Sequence, residues 1–385
     1  MRNSNNTSKW QEHVFGLPWK GLLPLRAKSL KIVKRFTMTH GSLASLLMAR
    51  LSVFCSCAAF ASASFAATID VSPSPPHSIQ AAFNKAGPGD VIRLKPGVYY
   101  QDVKTVRNGK PGKPIVISGP RSAIVKGAGA PRVIEINHDY TELRGFTVDG
   151  KFGAGNTRGS YRDKLIYVIG KTQGDGVTGL RILNMSIKNA GGECIRLRYQ
   201  TQRNEIAYSQ ISNCGRYDFA FQDGGKNGEG IYIGTAPEQR GLNGAPDRSV
   251  DASDANHVHH NIIDTKGNEC VDIKEGSSRN VVEHNQCSGQ KDKHSGGFDS
   301  RGNNNVFRYN TVSNVRGAGV RLGGDSDRDG INNDVYGNTF RQVGVAVVRA
   351  ERGPQGKVCG NTSQSNSEDK QKKKGKVQLE PLAGC

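Results

Sequence analysis

Between residues 190 and 350 apolar side chains recur at every second position, in short runs separated by glycine-rich turns. Cys194-Ile195-Arg196-Leu197-Arg198, Gly230-Ile231-Tyr232-Ile233-Gly234, Cys270-Val271-Asp272-Ile273-Lys274 and Gly319-Val320-Arg321-Leu322-Gly323 share this pattern. A period of two predicts β-strands, and the stretches between them hold no helix-length apolar stripe. The strands sit inside a longer repeat. Asn-x-apolar-x-x-Asn occurs at 256–261, 280–285, 305–310 and 333–338, with a weaker copy from Asn204 to Ser209. The second positions lie 24, 25 and 28 residues apart, and Asn361 follows 23 later. The step from Ser209 to Asn261 is 52 residues, which predicts one expanded or doubled coil.

A unit of this size carries two or three strands and cannot bury a face alone. Stacked units can, as in solenoids. The predicted fold is therefore all-β, a right-handed parallel β-helix in which the repeated asparagines form side-chain ladders. Upstream, Ser78–Ala86 reads as a short amphipathic helix stopped by Gly87-Pro88-Gly89, suited to cap the first coil. The coils are expected to start at Asp90–Tyr99 and to continue through 113–118 and 141–148. Polar, glycine-rich insertions at 151–164 and 234–254 are expected to line one face.

The ends of the chain read differently. Arg50 precedes an apolar, small-residue run over 51–65 that is too short for a membrane span and resembles a secretory signal cleaved near Ala66 or Ala67. The expected division is a leader over 1–66, with the signal itself starting near Met38 or Met48, a β-helix domain over 67–364, and a basic, flexible tail over 365–385. The expected location is secreted or periplasmic, with no stable membrane span. The leader holds nine basic residues and one acidic residue, so part of the net charge of +19 leaves with it. The remainder holds 44 basic against 33 acidic residues and still favours an acidic partner. It also holds six cysteines, Cys194, Cys214, Cys270, Cys287, Cys359 and Cys385, which allow fifteen full pairings. Buried free thiols at Cys194 and Cys270 are the alternative.

Registering the coils places polar residues in columns. Glu193, Glu229 and Glu269 precede the same step on successive coils. Arg196, Tyr232, Asp272, Asp299 and Arg321 follow the apolar residue by one position, and Arg198, Gly234, Lys274, Arg301 and Gly323 by three. Acids, a lysine and two arginines are thus expected on one outward surface. His257, His259 and His260 fall at a strand–turn position and read as outward solenoid residues.

The segments Glu269–Gly276, Ser300–Val306 and Gly319–Gly324 resemble the β-helix polysaccharide lyases of the chondroitinase-B and alginate-lyase group. The resemblance implies that Lys274 is the catalytic base, Arg301 the acid and Glu269 a calcium ligand; Glu229, in the same carboxylate column, is expected as a further metal ligand because like charges so close call for a cation. Substrate-binding roles are expected for Arg321, Tyr232, Asp272 and Asp299. Two positions depart from the group's pattern: its second acidic ligand falls on Gly267, and the histidine after its arginine falls on Gly302. The implied activity is β-elimination on a uronate-containing acidic polysaccharide, by a monomer, with Ca2+ as the candidate cofactor. A non-catalytic glycan-binding β-helix, a glycoside hydrolase using a carboxylate pair and a uronate epimerase remain open on the residues alone. Nucleic acid is not an expected partner, because an aromatic stacking pattern is missing.

Overall fold

The computed structural model describes residues 66–74, 78–364, 378–379 and 385. Apart from Ala66, the candidate leader lies outside the described residues, as does the lysine-rich run of the tail. Among the described residues no helix is long and apolar enough to cross a membrane.

Each coil contributes one strand to each of three sheets, of eleven, ten and ten strands. Pairing is parallel throughout, apart from one short strand at the C-terminal end. In a representative coil the strands are His257–His259, Ile262–Asp264 and Val271–Ile273. Each pairs in register with its counterpart one coil on, for example Val258 with Val282, Ile263 with Cys287 and Asp272 with Asp299. The alternation in sequence becomes an alternation of side-chain direction. Val258, Ile263, Val271 and Ile273 point into a continuous core.

The predicted ladders are present, and there are two of them. One runs Asn204, Asn256, Asn280, Asn305, Asn333, and the other Ser209, Asn261, Asn285, Asn310, Asn338, Asn361. At Asn285 the side-chain oxygen accepts from the backbone N–H and the side-chain amide of Asn261, at 2.9 and 3.0 Å. Its own amide donates to Val258 O and to Asn310 Oδ1, at 2.9 and 3.1 Å. Buried backbone groups at a sharp corner need partners, and the ladders supply them where the sheets break. The residue before each second-ladder position is left-handed, as at His260 (φ 53°) and His284 (φ 53°). Tyr208, His260, His284 and Tyr309 therefore stack outside this corner at centroid distances of 5.1, 4.9 and 5.2 Å. His257 and His259 pair with Glu283 and Glu205. The histidines thus serve the outer solenoid face.

The 52-residue step is one expanded coil, because Gln210–Ser212 pairs directly with Ile262–Asp264. Its extra length lies in two excursions, 213–230 and 234–256, on either side of Ile231–Ile233. The sequence singled out only the second. The cap is the helix Ile79–Lys85, N-capped by Ser78, with Ile79, Ala82 and Phe83 turned onto the first coil. A strand, Thr68–Val71, precedes it and pairs with Val91–Leu94. All six cysteines pair: Cys194 with Cys214, Cys270 with Cys287, and Cys359 with Cys385. The first two bonds lie within the core, which excludes free thiols at Cys194 and Cys270. Two points of segment 365–385 are anchored, Gln378–Leu379 against Val348–Arg349 and Cys385 to Cys359.

Candidate functional site

The third sheet and the turns that flank its strands carry the candidate residues. Strands Ile195–Arg198, Ile231–Ile233, Val271–Ile273, Gly296–Ser300 and Ala318–Leu322 lie side by side. The predicted column Arg196, Tyr232, Asp272, Asp299, Arg321 is observed in register. It extends further than the sequence reading took it, through Tyr167 and Glu135 at one end and Arg349 at the other. The run Val348-Arg349-Ala350 repeats Val320-Arg321-Leu322, so Arg349 was findable by the same alternation. Lys274 and Arg301 follow the paired residues Ile273 and Ser300 and so occupy neighbouring coils.

The column residues face away from the core, yet they are covered. Asp272 is 1% exposed, Asp299 2% and Lys274 9%. Lys274 and Asp299, with Glu229, Tyr232, Glu269 and Arg321, form the floor of a cavity of about 390 Å3, and Asp272 lies outside its lining. The two excursions of the expanded coil wall it with Lys226, Asn227, Glu238 and Gln239, and the following coil adds Asp292, His294 and Ser295. Nothing in a strand's own alternation shows that distant loops will cover its polar face.

Burial makes the pairing of each charge decisive. Lys274 Nζ lies 2.6 Å from Asp272 Oδ2 and 4.8 Å from the centroid of the Tyr232 ring. Burial alone would lower the ammonium pKa, but Asp272, Tyr232 and Glu269 outweigh it and raise the pKa. Burial also keeps Tyr232 a phenol, pushed up to about 12. Arg301 pairs with Glu275 and Asp325, at 3.3 and 3.0 Å. Arg321 bridges Asp299 at 3.0 Å and Glu351 at 2.8 Å.

The three column glutamates behave differently. Glu193 is held by Lys164 at 2.8 Å and Arg196 at 2.5 Å. Burial opposes its ionisation, but Lys164 and Arg196 prevail and hold it at about 2. Glu229 has no such partners. Burial, Glu193 and Asp272 push it up to about 7. Glu269 is raised well above the carboxylate range by burial first and then by Asp272, Glu229 and Asp299.

Oxygens of Glu229, Glu269 and Asp272 lie within 4.8 Å of one another. Ser295 Oγ donates to Glu269 Oε1, whereas Glu269 Oε2 and Asp272 Oδ1 are buried without a hydrogen-bond partner. Orphaned buried carboxylate oxygens in an all-oxygen set fit a hard divalent cation such as Ca2+. The two departures noted in sequence also have a physical cause. A Cβ at Gly267 would meet Cys214 O at 2.6 Å and Gly228 O at 2.7 Å, so no acidic side chain fits there. A Cβ at Gly302 would lie 1.9 Å from Ser277 O, which excludes a histidine. Glu229, one coil back, stands beside Glu269 where the resemblance would have looked to position 267.

The paired set Lys164–Glu193–Arg196 makes a stability prediction. Glu193→Gln leaves the buried Arg196 without its carboxylate and leaves Lys164 with Asp163 alone, at 2.8 Å, and breaking such a set costs about 3–5 kcal/mol. The pKa of Glu193 falls from 4.5 to about 2 on folding, so its contribution is present above pH 4.5 and is lost as pH falls toward 2. Denaturant titrations should show the full gap between wild type and variant at pH 7, narrowing through that acid window.

No protein-family model matches the sequence, and no curated protein sequence matches it. Solved structures do resemble it. An alginate lyase from Paenibacillus sp. str. FPU-7 superposes with a TM-score of 0.61 at 23% identity, over 78% of this chain and 99% of that one. The pectate lyase Pel9A gives 0.55 at 14% identity, over 83% and 82%. PfbA, a surface adhesin of Streptococcus pneumoniae, gives 0.54 at 11% identity, over 75% and 74%. At such identities the likeness speaks for the fold, and the fold is shared by enzymes and an adhesin. The chain is a right-handed parallel β-helix of the kind on which polysaccharide lyases are built.

Proposed function

We propose that the protein is a secreted or periplasmic polysaccharide lyase acting on a uronate-containing acidic glycan. One observation carries the reading: Lys274, Arg301 and Arg321 line a single cleft beside a buried carboxylate cluster. Three disulfides suit an oxidising compartment.

Elimination removes the C5 proton, α to the uronate carboxylate. The C4–C5 double bond forms, the bond from C4 to the glycosidic oxygen breaks, and that oxygen departs with a proton. Lys274 takes the C5 proton and Arg301 donates to the departing oxygen. Arg321 offers a planar guanidinium to a carboxylate, a geometry suited to bidentate recognition. Tyr232 keeps its phenolic proton and donates to sugar oxygens, while Asp299 accepts from sugar hydroxyls; Asp272, 1% exposed and outside the cavity lining, acts through Lys274 and the carboxylate set rather than on the sugar. Lys274 accepts a proton only when neutral, so its pairing with Asp272 must be relieved during turnover. A divalent cation held by Glu229, Glu269 and Asp272 would take up that negative charge and neutralise the substrate carboxylate.

The test is a panel of alginate, pectate, chondroitin, dermatan and glucuronan, followed by the ultraviolet absorbance of unsaturated uronate. At least one polymer should give a rising signal that a chelator suppresses and Ca2+ restores. Ca2+ should also raise the melting temperature of the wild type and leave Glu269→Gln unmoved. Binding across the panel with no absorbance change would select a glycan-binding module instead.

A further inference from the structure

Excursion 234–254 leaves the site sheet after Ile231–Ile233 and crosses the outward face of the preceding coils. Gln239 accepts from Arg196 through its side chain at 2.7 Å and from Arg198 through its carbonyl at 3.1 Å. Asn243 O accepts from Arg132 at 2.9 Å and from the Tyr167 hydroxyl at 3.3 Å. Ala245 packs on Tyr167, Ile169 and Tyr199, a small apolar cluster outside the coil. Near the return, Asp251 accepts from the backbone N–H of Tyr199 and Gln200 and from the Thr235 hydroxyl. Arg198 points away from the core, yet the crossing leaves it only 1% exposed.

This strap separates two hollows on the same sheet. On one side lies the candidate site, bounded by Tyr232, Ala236, Glu238 and Gln239. On the other lies a cleft of about 580 Å3 that includes Arg132, Tyr167, Arg196 and Asn243. The Gln239–Arg196 bond spans the boundary. Behind it Glu193 pairs with both Arg196 and Lys164, and the Arg196 guanidinium lies 4.0 Å from the centroid of the Tyr232 ring. The opposite margin of the site is made by side chains of the sheet itself, Arg321, Arg349 and Glu351.

We infer that the strap is the end wall of the substrate groove, so that the site receives the terminus of a polyuronate chain and the rest of the polymer runs off past Arg321 and Arg349. This rests on the lyase reading and specifies its mode: elimination at a bond set by distance from one chain end. The step is the one already balanced, with the C5 proton and the C4–oxygen bond lost and one double bond gained. An apolar cluster and charge-assisted bonds fix the wall, in contrast to a lid that opens for a chain to lie through.

The experiment uses the polymer that gives the strongest absorbance in the panel and follows product size and solution viscosity together. The wild type should release one short size class of unsaturated product from the earliest samples, with viscosity falling only in proportion to absorbance. Two variants open the wall. One replaces residues 238–245 by Gly-Gly-Ser. The other, Glu238→Gly with Gln239→Gly, keeps the Ala245 anchor and guards against loss of folding, checked by thermal melt. Either folded variant should yield mid-sized oligomers and an early drop in viscosity. Mid-sized oligomers from the wild type at low conversion would overturn the inference while leaving the lyase reading intact. So would a folded open variant with unchanged product sizes. Absence of absorbance on every polymer would overturn the lyase reading itself, and the wall with it.

Discussion

Lys274→Arg is expected to abolish turnover while leaving the fold unchanged. Arginine keeps a positive charge opposite Asp272, which lies 2.6 Å from the lysine in the wild type. Its resting guanidinium is already protonated and offers no basic lone pair to take the C5 proton. If Lys274 supplies only charge, the arginine variant should work nearly as well as the wild type. If Lys274 is the base, the rate should fall by about 10²–10⁴-fold, the usual worth of a positioned acid or base. Lys274→Met should fall at least as far and should also loosen the carboxylate cluster, because it removes the only side chain in ion-pair contact with Asp272 among the described residues. Initial rates of absorbance increase, read beside thermal melts of both variants, separate lost chemistry from lost structure. Full activity in Lys274→Arg would exclude the base role.

The largest effect on stability is expected from Asn285→Ala. The change leaves the backbone N–H of Asn261 without its acceptor and removes three further buried bonds, those from the Asn261 side-chain amide, to the Val258 carbonyl and to Asn310 Oδ1. One orphaned N–H costs about 1–3 kcal/mol and each of the other three lost bonds about 0.5–1.5 kcal/mol, so the sum is on the order of 3–7 kcal/mol. Gln286→Ala, one residue on and solvent-facing, is the control and should move stability by less than about 0.5 kcal/mol. Denaturant midpoints of the two variants check the contrast, and equal midpoints would show that the ladders are ornamental.

Much of this architecture was legible in sequence because its causes are local and periodic. An asparagine at a fixed coil position needs only its neighbours one coil away. The register of Arg196, Tyr232, Asp272, Asp299 and Arg321 follows from counting. The rest depends on groups far apart along the chain. Lys164 lies well before Glu193, and nothing in its surroundings marks it as that residue's partner. Arg198 reads as a surface residue until Gln239 closes over it. The disulfide partners were undetermined because six cysteines allow many pairings, and only the fold brings Cys194 to Cys214. The depth of the site is legible only in part: the insertion 234–254 reads as lining a face, but how fully the two excursions of a single coil cover the strands depends on the fold.

The paired ladders carry one more implication. From Asn204 to Ser209, and from Asn256, Asn280, Asn305 and Asn333 to their partners, the interval is always five residues, while the repeat itself ranges from 23 to 52. An added residue inside the interval would tear two rows of side chains out of step at once. Growth of the chain is therefore confined to the arc outside that clamp, the arc that carries the third sheet and both excursions of the expanded coil. The scaffold thus acts as a valve on variation: it rejects changes of length at one corner and steers them to the face where a polymer would be met. New walls, pockets and specificities can accumulate there without the core having to be solved again.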